Sequence, residues 1–109
     1  MLVPDTIQAA ATAANAEVVL AWLDAGNDVN SNGGSYSYNL LTATAMATPI
    51  TEANVALARE LLRRGADPRL GNNHSYGQWV PLHAAARGQG PASAEMVALL
   101  LDAGADPDA

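Results

Sequence analysis

The sequence predicts an all-α fold, a solenoid of stacked helix–turn–helix units with extended finger loops. Three observations predict it. A stop motif recurs, complete as GADP at 65–68 and 104–107 and degraded as Gly26-Asn27-Asp28-Val29, so that 39 residues separate Gly26 from Gly65 and Gly65 from Gly104. Ahead of each glycine lies an apolar stripe in the same register: Val18, Leu57 and Met96; Val19, Ala58 and Val97; Trp22, Leu61 and Leu100; Leu23, Leu62 and Leu101. Positions i, i+1, i+4 and i+5 share one helical face. Finally, half of the 109 residues are hydrophobic, yet phenylalanine is absent, so packing rests on Leu, Val and Ala. The length suits one domain, 1–109, with units at about 5–38, 39–79 and 80–109.

In the first unit a short helix starts at Asp5-Thr6-Ile7-Gln8 and runs into alanines. Asp5 and Gln8 have capping-box spacing, with Asp in place of Ser or Thr. The longer helix carries Val18 to Leu23 and closes at Gly26, which supplies the left-handed conformation of a helix end. The second unit repeats the plan from Asn39-Leu40-Leu41-Thr42 onward. Its arginines 63 and 64 fall in the last helical turn, where cations suit the negative end of the dipole. The third begins at Val80-Pro81-Leu82-His83, with proline at the first helical position, and its stop is followed by Pro107, as Pro68 follows the second. Alanine on the short helices lets units approach closely. No such helix can bury its stripe alone, so the units must stack, with all three stripes buried and touching their counterparts.

These residues resemble the ankyrin repeat, whose pattern runs T-P-L-H-x-A-A, a turn, V-V-x-x-L-L and G-A-D. The third unit is most similar, with Val80-Pro81-Leu82-His83-Ala84-Ala85-Ala86 and Leu99-Leu100-Leu101-Asp102-Ala103-Gly104-Ala105-Asp106. The second departs furthest, with Leu40 for the proline and Thr42 for the histidine. The units are longer than the usual repeat of about 33 residues. The surplus falls in the inter-helix turns, Ala47 to Glu52 and Gly88 to Ala94, and in the loops before Asn39 and Val80. The resemblance implies paired antiparallel helices with projecting fingers, and a protein–protein interaction module that binds through the fingers and short inner helices. It implies no enzymatic activity and no cofactor. It also implies a structural role for His83.

The composition narrows the alternatives. Without cysteine there is no thiolate nucleophile, disulfide or cysteine metal site. A net charge of −6 disfavours nucleic acid as a partner. The N-terminus lacks the basic region of a signal peptide, and the uncharged run 31–51 contains Asn and Gly that a membrane core rejects, so a soluble, cytoplasmic protein is expected. Two histidines on separate segments make no metal site, and no phosphate-binding loop or nucleophile elbow is present.

The finger loops carry the binding signal. Asn32-Gly33-Gly34-Ser35-Tyr36 corresponds to Asn72-Asn73-His74-Ser75-Tyr76, and four of the five aromatics, Tyr36, Tyr38, Tyr76 and Trp79, lie on these loops. Exposed aromatics supply binding energy at low entropic cost. The candidate partner-binding set is therefore Tyr36, Tyr38, His74, Tyr76, Trp79 and Arg87; the competing role for the aromatics is packing within the fingers. Charge divides as −4 over 1–38, +1 over 39–79 and −3 over 80–109. Leu99 stands where the middle unit has Glu60, so the C-terminal face is expected to be apolar enough to meet a partner or another copy. The alternative to a binding module is a structural spacer, or a fragment of a larger array that self-associates through its end faces.

Overall fold

Six helices, α1 (Asp5–Thr12), α2 (Ala16–Asp24), α3 (Leu40–Ala45), α4 (Glu52–Arg63), α5 (Pro81–Arg87) and α6 (Ser93–Asp102), make up the computed structural model, which describes residues 3–31, 39–70 and 80–104. No strand element occurs among the described residues, so the all-α expectation holds. The three longer helices end at residues 24, 63 and 102, keeping the 39-residue interval. Gly26, Gly65 and Gly104 have φ of 102°, 101° and 108°. Each adopts the positive φ that the repeated stop motif requires, a conformation a side chain would oppose.

Helix starts follow capping chemistry, with one correction. The Asp5–Gln8 box does not form: α1 begins directly after Pro4, without a side-chain cap, and Gln8 is buried. Asn15 and Asn39 instead cap α2 and α3, accepting from Val18 N and Thr42 N. The true capping box is Thr51–Asn54 on α4, where Thr51 Oγ1 accepts from Asn54 N and Asn54 Oδ1 accepts from Thr51 N. A wholly buried Asn at the third helical position can serve here because its remaining amide protons also find acceptors.

The helices pair as α1 on α2, α3 on α4 and α5 on α6, and the pairs then meet through α1 on α3, α3 on α5 and α4 on α6. The central short helix α3 is buried along its whole length, between α1 and α5. Leu40, Leu41, Ile50, Leu57, Leu61, Met96 and Leu100 are the largest wholly buried apolar side chains.

The stripe expectation needs correcting at both ends. Val19, Leu57, Ala58, Leu61, Met96 and Leu100 are buried, and Trp22, Leu23, Leu62 and Val97 are partly buried against the core. Val18 and Leu101 are exposed, at 39% and 40%. The reason is positional. Leu57, the counterpart of Val18, is buried, whereas α2 has no described helix beyond it. The same comparison separates two faces of each unit. Leu40, Ala43 and Leu57 are buried, while their first-unit counterparts Thr6, Ala9 and Val18 are exposed. Ala45 and Val55 are buried, while their third-unit counterparts Ala86 and Ala94 are exposed. The two sets share no position.

The long inter-helix turns, where the surplus residues were placed, bind each other. Ile50 N donates to Gln89 O at 2.7 Å, and Ala92 N donates to Ile50 O at 3.4 Å. The approach is so close that a Cβ on Gly90, whose φ is 118°, would lie 2.7 Å from both Ile50 O and Pro49 Cβ.

Candidate interaction surface

The described residues on either side of segments 32–38 and 71–79 are held by hydrogen bonds. Asp28 Oδ1 accepts from Asn30 N and Asp67 Oδ1 accepts from Arg69 N, both at 2.9 Å, so the same Asx turn closes the first and second units, 39 residues apart. Asn30 bridges the two turns: its Oδ1 accepts from Asp67 N at 2.8 Å and its Nδ2 donates to Gly65 O at 3.1 Å. Nearby, Asn39 Nδ2 donates to Leu70 O at 3.1 Å. Asn39 stands where the first finger rejoins a helix and Leu70 where the second departs. Ser31, Asn39, Leu70 and Val80 are all buried. The residues that flank both segments are thus buried and hydrogen-bonded.

Of the six candidate binding residues, Tyr36, Tyr38, His74, Tyr76 and Trp79 lie outside the described residues. Arg87 is exposed at the last position of α5, a short inner helix. His83, four residues earlier, is half-buried. Leu99 is half-buried against the core, and the exposed large apolar side chain of α6 is Leu101, two residues on.

Two arginines make ion pairs that join the units. Arg64 Nη1 lies 2.8 Å from Asp24 Oδ1, across the first joint, and Arg64 Nε lies 2.9 Å from Glu60 Oε2. Arg63 also binds Glu60. Hydrogen bonds from Arg63, then Arg64, lower the Glu60 pKa to about 2. Arg59 reaches Glu95 at 3.9 Å across the second joint. The basic middle thus meets an acidic neighbour on each side. Glu52 is shifted upward, chiefly by its hydrogen bond with Glu95 and then by desolvation. Arg63 and Arg64 read as helix-end chemistry in the sequence; the structure adds their carboxylate partners.

Sequence reasoning missed the three bridging asparagines. Asn30, Asn39 and Asn54 each look like local turn or cap residues, and their long-range acceptors exist only after the units pack.

These paired helices, glycine stops and anchored loop roots define a repeat architecture. Residues 78–109 match the ankyrin repeat family. The matched ankyrin stretch covers α5, α6 and the last glycine stop, the unit nearest the family pattern. No curated protein matches the chain. No helix among the described residues is long and apolar enough to cross a membrane.

Proposed function

We propose that the chain is an ankyrin-type solenoid of three units and works as a protein–protein interaction module. The observation that carries this is the ankyrin match over 78–109, together with two further helix pairs earlier in the chain whose positive-φ glycines and Asx turns keep a 39-residue interval. Ankyrin repeats are generally protein-binding modules, and a non-catalytic role follows from that reading. The partner is a protein rather than nucleic acid, given a net charge of −6, and the expected compartment is the cytoplasm.

Binding is assigned to the fingers and the inner helices beside them, with Tyr36, Tyr38, His74, Tyr76, Trp79 and Arg87 as contact residues. The buried roots support this, because a rigid base lowers the ordering cost of binding. The test replaces Tyr36, Tyr38 and Tyr76 with alanine, then measures thermal unfolding and partner capture on the same protein. Weakened capture with an unchanged Tm supports finger binding. A large drop in Tm with capture unchanged per folded molecule makes the tyrosines scaffold instead.

A further inference from the structure

We draw no further inference here: the strongest candidate, the groove between the end of α1 and the turn that leads into α4, lined by Ala9, Thr12, Ala13, Ala47, Thr48 and Pro49, carries nothing because nothing in the structure shows what covers it.

Discussion

The side-chain amide of Asn54 donates a 3.0 Å hydrogen bond to the main-chain carbonyl of Thr12, 42 residues earlier in the chain. The same nitrogen donates to Thr44 O at 3.2 Å, while Oδ1 accepts from Thr51 N and Thr51 Oγ1. One buried side chain therefore spends its full capacity on the ends of α1 and α3 and the start of α4. Thr12 Oγ1 adds a bond of 3.1 Å to Ala43 O.

Replacing Asn54 with alanine removes the box and leaves buried groups unpaired. The cost is about 1–3 kcal/mol for each group left unsatisfied. Urea denaturation of Asn54→Ala should show a clear fall in midpoint. The control is Asn15→Ala, whose cap on Val18 is exposed and whose loss costs roughly 0.5–2 kcal/mol. A larger loss for Asn15 would contradict the bridging role.

Leu61→Ala should destabilise by about 2–5 kcal/mol, because Leu61 is wholly buried in a packed joint. Leu101→Ala, one repeat on from Leu62 and exposed at 40%, should change stability by roughly 0.5 kcal/mol or less. Paired melting curves check the contrast.

Gly90→Ala and Gly26→Ala separate steric conflict from backbone strain. Both positions have positive φ. At Gly26 a Cβ meets nothing within 4 Å, so the cost is only that of a left-handed alanine, about 1–2 kcal/mol. At Gly90 the Cβ also presses on Ile50 and Pro49, which the two turn–turn hydrogen bonds hold in place. Gly90→Ala should therefore be the more damaging, read as the lower urea midpoint.

Acid should act through Glu60. Its folded pKa of about 2 lies below the ordinary 4.5, so its stabilising contribution is present above about 4.5 and is lost as pH falls toward 2. Glu52 works with the opposite sign: its raised value favours the protonated form in the fold, a contribution present at low pH and lost as pH rises through the folded value. Denaturation midpoints from pH 2 to pH 7 should fall less steeply on the acid side for Glu60→Gln than for the parent chain.

The helix pairs and their stops were legible because register is a local property: the stripes from Val18 to Leu101 and the glycines at 26, 65 and 104 mark each unit without knowledge of its neighbours. Position within the stack is not local. Val18 and Leu57 look alike in sequence, yet only Leu57 is covered. The Asp5–Gln8 spacing suggested a cap that Pro4 and the start of the helix at Asp5 leave no place for. Thr51 and Asn54 lay inside a stretch read as surplus turn and helix, and the partners that make Asn54 important come from α1 and α3. In the candidate surface, loop length and aromatic content pointed to the fingers, whereas the anchoring of their roots by Asn30 and Asn39 depends on carbonyls of distant segments.

The shared register of Asp24, Arg63 and Asp102 bears on how such a chain can change over generations. Tandem duplication is the simplest way to lengthen a repeat protein, and the middle unit is the natural one to copy because both of its faces are covered. Here a copied middle unit would bring its Arg64 against Arg63 of the original, where the native joint offers Asp24. The alternation of sign from unit to unit therefore makes the order of the modules part of the message. Shuffling or multiplying them would lose the Arg64–Asp24 pair and set arginine against arginine at the new joint.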